Sequence, residues 1–532
     1  LAICDEIFAI KGTALVSYWF HSPSLDLFQK GNERDMAKKL SKSRIISGLQ
    51  CVKRLHQEVY HPERAEISDA TEQIFAQGNQ IGELACQQYP NGVLIDRNPL
   101  SEALRKTEEL LKNPDCPPLF EATFEHEGVL VQADILIPGK EGVEIIEVKS
   151  STKLKPTFLK DCAIQHWVIT GAGHRISRMQ LAHVNNQFVY KGNLNYDGLL
   201  KQVDVLEEIS PYLKQVPVWV EQFKTMLENE EPEIKVGPHC NDPYSCSFKS
   251  HCYESLGEWP ITDLPNLGKL ALELQEEGHT DIRRIPEDRL SNSLHSRVHR
   301  VISSQTPELD PQASLELAKL SYPRNYLDFE TISFAMPIWE GTRPFEQLPF
   351  QWSCHIEDSP GNFEHFEFLD TSGKPPMLDF AEKLISSLDN DGPVIVYSSF
   401  EEVVLRSLCN RFPDIAEELA RIQARLFDLL PLTKKYYCHP EMRGSWSIKS
   451  VLPTVAPELD YGDLEVQGGQ AAQQKYLELI TPGISENELK QGRTSLLEYC
   501  KRDTLAMVKL AQFLADSRHN SRPRWHSATL AV

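Results

Sequence analysis

Val143-Glu144-Ile145-Ile146-Glu147-Val148-Lys149 is the stretch whose reading decides the first half of the chain. Its apolar run reads as a strand. The two-residue period of a strand puts Ile145, Glu147 and Lys149 on one face and Ile146 and Val148 on the other. The preceding run, Val129-Leu-Val-Gln-Ala-Asp134-Ile-Leu-Ile, reads as its hairpin partner through the turn Pro138-Gly-Lys-Glu-Gly142 and adds a second carboxylate. Two carboxylates can hold Mg2+ or Mn2+, and a lysine beside them can position a water that attacks phosphorus. A surface ion pair on an edge strand is the plainer reading of the same residues.

Upstream, residues 71–89 carry Ile74, Phe75, Ile81, Leu84 and Ala85 near helical period, with Glu83 beside the stripe. The pattern from Ser41 to Tyr60 predicts a short helix carrying Cys51, with Lys53 and Arg54 beside it. Downstream, Cys240, Cys246 and Cys252 are evenly spaced in a polar, proline-containing loop, a spacing that suggests a metal site. Cys51 is the best remaining candidate for its fourth ligand.

The 532 residues, 41% hydrophobic and 25% charged, have ordinary globular composition and suffice for several domains. A net charge of -21 excludes a global basic field, so nucleic acid would have to be met by local patches or by metal ions bridging phosphates to carboxylates. Isolated cysteines in apolar runs (Cys162, Cys354, Cys409, Cys500) point to a reducing compartment, the cytoplasm. No apolar run is long enough to span a bilayer, so no membrane association is expected. The first methionine is Met36, and residues 1–35 read as a non-native or disordered extension, with 521–532 as a tail.

A second group of acids lies in the other half. As a strand, Tyr326-Leu327-Asp328-Phe329-Glu330-Thr331 directs Asp328 and Glu330 to one face. Pro393-Val-Ile-Val-Tyr397 runs into a helix at Phe400-Glu401-Glu402. On a C-terminal helix, Tyr499 and Asp503 are one turn apart. Lys449 and Arg443 are candidate phosphate contacts, whereas Asp428 and His439 read as structural. Between the two halves, residues 256–320 read as a helical connector, with a helical-hairpin-like element and the local basic residues Arg283, Arg284, Arg297 and Arg300.

Asp134, Glu147-Val148-Lys149 and Gln165, framed by Cys51 and the later three cysteines, resemble the RecB-like branch of the PD-(D/E)XK nucleases. More narrowly they resemble its iron-sulfur members, such as the CRISPR-adaptation exonucleases and the AddB-type repair nucleases. Over residues 36–255 the resemblance implies a restriction-endonuclease-like domain, metal at Asp134 and Glu147, and catalytic roles for Lys149 and Gln165. It also implies a [4Fe-4S] cluster on Cys51, Cys240, Cys246 and Cys252, with zinc as the alternative. Two departures stand out. Gly78-Asn-Gln-Ile-Gly82-Glu83 occupies the place where that family often has a histidine, and Gln165-His-Trp-Val-Ile169 lacks the tyrosine of the family's Gln-x-x-x-Tyr.

Residues 321–520 resemble the DnaQ-like 3'-5' exonucleases of the RNase H fold, in the subgroup with a tyrosine in the third motif. This implies two divalent ions on Asp328, Glu330, Glu401 and Asp503, with Tyr499 orienting the attacking water. Where the family has Phe-Asp, this chain has Phe400-Glu401, and Glu402 is the alternative acid. The expectation is therefore an α/β protein with a restriction-endonuclease-like and an RNase H-like domain, acting as a metal-dependent nuclease on DNA ahead of RNA. The rival is a nucleic-acid-binding or scaffold protein with an inactive first module. No P-loop of the Gly-x-x-x-x-Gly-Lys-Ser/Thr type is present, so unwinding would fall to a helicase or another repair or defence partner.

Overall fold

Two mixed sheets organise the chain, each the centre of its own unit. The computed structural model describes residues 39–66, 69–254 and 256–516; the expected extension at 1–35 and tail at 521–532 lie outside them. The protein is α/β, and no helix among the described residues is long and apolar enough to cross a membrane.

The first unit takes the described residues before 255 together with 334–346. It begins with β1 (Leu40–Ser41), α1 (Lys42–Gln50), α2 (Val52–Tyr60), α3 (Asp69–Gln87), β2 (Val93–Leu94) and α4 (Leu100–Leu111). There follow β3 (Leu119–His126), β4 (Val129–Gly139), β5 (Gly142–Lys149), α5 (Pro156–Gly171), β6 (Ile176–Val184) and β7 (Leu200–Asp204). Helices α6 (Leu206–Leu213), α7 (Val216–Leu227) and α8 (Lys249–Glu254) close it. The sheet order is β2-β3-β4-β5-β6-β7, with β1 added in parallel beside the start of β4. The β4–β5 hairpin forms as its alternation and turn predict. However, β5 is an interior strand, parallel to β6 on its other side, so Glu147 is not at an edge.

Two local expectations change. The segment from Ser41 to Tyr60 is two helices, because Cys51 adopts extended backbone (φ -161°, ψ 119°) and turns the chain between them. In α3 the buried positions are Ile81 and Ala85, while Ile74 and Phe75 are 65% and 47% exposed, so the apolar stripe is seated only in the second half of the helix.

The second unit holds 256–333 and 347–516. Its leading part contains α9 (Leu270–Glu276), α10 (Ser293–Ser304), β8 (Glu308–Leu309) and α11 (Gln312–Leu317). The stretch read as a connector is built into this unit: Trp259, Leu274, Ile285 and Val301 share one core with Leu429, Tyr437, Met507 and Leu510. Three of its four basic residues are engaged with acids, Arg283 with Asp281 and both Arg297 and Arg300 with Glu308, while Arg284 is exposed. The sheet follows, with β9 (Arg324–Ile332), β10 (Leu348–Ser359), β11 (Asn362–Leu369), α12 (Met377–Ser387), β12 (Val394–Val396) and α13 (Phe400–Arg411). Then come α14 (Ala416–Gln423), β13 (Leu426–Asp428), α15 (Leu429–Tyr436), β14 (Tyr437–Cys438), α16 (Ile448–Val455), α17 (Gly469–Ile480) and α18 (Glu486–Ala515). Strand order β11-β10-β9-β12-β13 makes β9 central, antiparallel to β10 and parallel to β12. A capping box between Ser485 and Glu488 starts α18 by satisfying its first free amides. Buried Gly492, Leu496, Tyr499, Asp503 and Met507 then recur along the helix, so one stripe of α18 is buried.

Candidate functional site

In the second unit, alternation along β9 puts Asp328 and Glu330 on the face where α18 lies, opposite Ser353 and Gln351 of β10. Gln351 donates to the Leu496 carbonyl at 2.7 Å, which fixes α18 over these strands. Asp503 thereby comes down beside both acids, and ligand oxygens of Asp328, Glu330 and Asp503 all lie within 4.8 Å of one another. Among the described residues, no other group of three or more His, Cys, Asp or Glu side chains meets that condition.

Burial first, and then mutual repulsion, pushes the Asp328 and Glu330 carboxyls well above the ordinary range. Burial raises Asp503 to about 6, against hydrogen bonds from Tyr461 and Tyr499 and the charge of Lys449, which favour its ionised form. The Tyr461 hydroxyl donates to Asp503 Oδ1 at 2.6 Å. Lys449 Nζ stands 5.3 Å from the Tyr461 ring and 5.2 Å from the Tyr499 ring and donates to the Gln467 carbonyl. Such a cluster of buried carboxylates either holds protons or holds a cation, and three acids with oxygen donors suit Mg2+ or Mn2+.

Glu401 and Glu402 take different environments. Glu402 pairs with Arg406 on the surface of α13. Glu401 is 3% exposed, is raised to about 7 chiefly by burial and also by Asp428, and its Oε2 lacks a hydrogen-bond partner among the described residues. It adds repulsion to both Asp328 and Glu330 but stands outside the tight trio. Asp428 caps α15 through the Leu430 amide, and His439 accepts from the Glu441 amide, so both have local structural work. Arg443 is engaged with Asp263.

In the first unit, Glu147 is 1% exposed and saturated with donors. Lys42 Nζ lies 2.8 and 3.0 Å from its two oxygens, Lys149 Nζ 2.5 Å from Oε1, and Gln165 Nε2 2.6 Å from Oε2. Lys149 also reaches Asp161 Oδ2 at 2.6 Å, and Lys42 lies 3.8 Å from Asp161 Oδ1. Burial opposes the Glu147 carboxylate, yet the two ammoniums outweigh it and hold the group far below its ordinary pKa. Asp134 accepts from the Val148 amide at 2.7 Å and is raised to about 7 by burial and by Glu147. Glu83, on α3, is exposed, and the desolvation it does suffer raises its carboxyl above the ordinary value. Asp134, Glu147, Lys149 and Gln165 are thus gathered in this unit, but the donors around Glu147 do not fit a divalent ion as they stand.

The four cysteines line one cavity of about 20 Å3. Cys51 enters it from the break between α1 and α2, Cys240 from a single 3-10 turn, and Cys252 from α8. Gln50 Nε2 ties the loop down through the carbonyls of His239 (2.8 Å) and Tyr244 (2.7 Å). Burial disfavours the Cys51 thiolate, but a hydrogen bond from His239 and backbone amides prevail and lower its pKa. Burial raises Cys246 and Cys252, and the neighbouring thiols add to it. Four thiols around one small cavity, one with its pKa lowered, are the donor set of a thiolate-bound cluster; they stand farther apart than a single tetrahedral ion would hold them, since no three of their sulfurs lie within 4.8 Å of one another.

Reading the sequence missed Lys42, Asp161, Tyr461 and His239. Asp161 carries a usable signal, since it precedes Gln165 by one turn of α5. Lys42 and Tyr461 carry none, because pairing of β1 with β4 and a long loop bring them into place.

Among the described residues the chain is thus a two-unit α/β protein with a tight acidic trio and a thiol-lined cavity. Residues 325–447 match a family model described as a domain of unknown function, DUF2779. That match includes Asp328, Glu330 and Glu401 and stops before Lys449, Tyr461, Tyr499 and Asp503. The chain is similar to the uncharacterized protein MG366 homolog of Mycoplasma pneumoniae, 28% identical over 220 residues, which are 37% of this chain and 33% of that protein. It is also similar to the uncharacterized protein UU173 of Ureaplasma parvum serovar 3, 27% identical over 228 residues, 38% and 33% of the two lengths. The matched stretch spans about a third of each of these relatives.

Proposed function

We propose that this chain is a metal-dependent nuclease, and that its second unit is a DnaQ-like 3'-5' exonuclease of the RNase H fold acting on DNA or RNA. The observation that carries the reading is the trio Asp328, Glu330 and Asp503, two acids from the central strand and one from the helix over it. These residues, with Glu401, whose buried Oε2 lacks a hydrogen-bond partner among the described residues and whose charge acts on Asp328 and Glu330, would hold Mg2+ or Mn2+. When bound, such ions supply Lewis acidity toward a phosphoryl oxygen and a water acidic enough to attack it. The rest falls to the chain itself. Tyr499 and Tyr461 hold Asp503 in one orientation, and Tyr499 has a hydroxyl next to the acids with which to align the attacking water. Lys449, the nearest cation, favours the ionised forms of Glu330 and Asp503 and can meet a substrate phosphate.

The first unit is read here as a RecB-like module of restriction-endonuclease-like fold. Cys51, Cys240, Cys246 and Cys252 would carry its [4Fe-4S] cluster, or zinc. The cluster's part is structural, and anaerobic absorption with iron and zinc analysis distinguishes the two.

Labelled single and double strands incubated with Mn2+ test the activity. Wild-type protein is expected to release nucleotides from 3' ends, and Asp328→Asn with Glu330→Gln to lose on the order of 100- to 1000-fold, since the ions are worth several kcal/mol to the transition state. If the unaltered protein cleaves no strand under any metal, the chain is instead a nucleic-acid-binding or scaffold protein. The saturated Glu147 in the first unit favours that rival for the first module alone.

A further inference from the structure

We propose that Lys42 is a built-in cation of the first unit: its ammonium, together with that of Lys149, occupies the charge position that a divalent ion would take, and bars metal from Glu147. A carboxylate offers about four lone-pair sites. At Glu147 all are used, with Lys42 and Lys149 on Oε1 and Lys42 and Gln165 on Oε2. An ion could ligate this residue only by displacing a charged donor. Without metal, the two ammoniums bring to Asp134, Glu147 and Asp161 the same two positive charges that Mg2+ would bring, leaving a net charge of -1 when all three acids are ionised.

Lys42 is not a surface lysine that has wandered in. Its side chain is only 19% exposed. Immediately before it, Leu40 and Ser41 pair in parallel with Val129 and Leu130 of β4, and Leu40 is 2% exposed in the core. Ser41 caps α1 by accepting from the Arg44 amide at 3.3 Å, so Lys42 starts a helix anchored on both sides. Moving the ammonium away would mean unzipping β1 or swinging a half-buried stem into solvent, and it would leave Glu147, itself 1% exposed, with one ammonium fewer.

The assignment concerns the first unit alone and does not depend on whether the second unit cleaves. The test is Mn2+ binding to the full chain, followed by electron paramagnetic resonance, in an Asp328→Asn/Asp503→Asn background that removes the second unit's trio. This protein is expected to show no Mn2+ site that depends on Glu147. Adding Lys42→Met or Lys42→Gln should create one, at least about tenfold tighter than any binding before, and Glu147→Gln should abolish it. Glu147-dependent Mn2+ binding with Lys42 intact overturns the proposal, as does a folded Lys42 variant that gains none. Should both Lys42 variants fail to fold, recovery by Glu147→Gln supports the assignment, because that change deletes the charge Lys42 neutralises. Failure to recover overturns it.

Discussion

Asp503 is the acid of the second unit most closely managed by its neighbours, with two tyrosines and Lys449 holding it toward its charged form against burial. Tyr461→Phe removes the 2.6 Å hydrogen bond without altering the ring packed near Lys449. We expect a loss of roughly 10- to 100-fold in Mn2+ affinity or cleavage rate, the usual cost of removing a group that orients a ligand, with an unchanged melting temperature as the control. The same acids couple stability to pH. Asp503 rises from 3.8 to about 6 and Glu401 from 4.5 to about 7 on folding. A carboxyl whose folded pKa is raised binds its proton more tightly in the native state, so stability is full below the unfolded pKa and falls as pH climbs through the folded one. In chelator, the second unit's melting temperature should therefore drop between about pH 4 and pH 7. Mg2+ should flatten the drop, and Asp503→Asn should reduce it; a melting curve independent of pH in chelator would contradict the geometry of the trio.

At the scale of elements, the strands that carry the acids were legible and their helical partners only partly so. β5 and β9 are short apolar runs interrupted by charge at strand period, which few other local structures satisfy. The break at Cys51 left no such trace, since Val52-Lys53-Arg54-Leu55 continues a helical pattern, although the extended backbone at Cys51 is where the chain turns and the residue lines the cavity. Lys42 was illegible for a related reason: its role is created by a two-residue strand pairing across sequence. Replacing Cys246 by serine should destabilise the first unit and leave the second unit's activity unaltered, which stepwise thermal unfolding and a nuclease assay on one sample would read together. The second unit has its own weak point at Gly492, where a Cβ would stand 2.6 Å from Leu479 Cδ2. Gly492→Val should push α17 from α18 and cost about 1–3 kcal/mol by overpacking, measured by denaturant unfolding.

Over the whole molecule, the boundaries of the units are not the boundaries that composition suggests. The proline-punctuated stretch 256–320 reads as a linker, yet its scattered apolar residues bury against α15 and α18, which no local pattern announces. Conversely, residues 334–346, between β9 and β10, belong to the first unit. There the Tyr190 amide donates to the Thr342 carbonyl at 3.0 Å and the Gly341 amide to the Tyr190 carbonyl at 2.8 Å, while Ala335 joins Ile81, Val184 and Leu199 in a small core. A fragment ending at residue 254 should consequently bind an apolar dye that the full chain does not, and a peptide of residues 334–346 added in trans should quench that signal.

The same exchange sets an order of events during synthesis. A growing chain delivers its residues from the amino end, so the small core of Ile81, Val184 and Leu199 lacks Ala335, Met336 and Phe345 until those residues have been made, by which time β9 is also complete and still lacks β10. The first unit therefore acquires its last segment only after the second unit's central strand has been made.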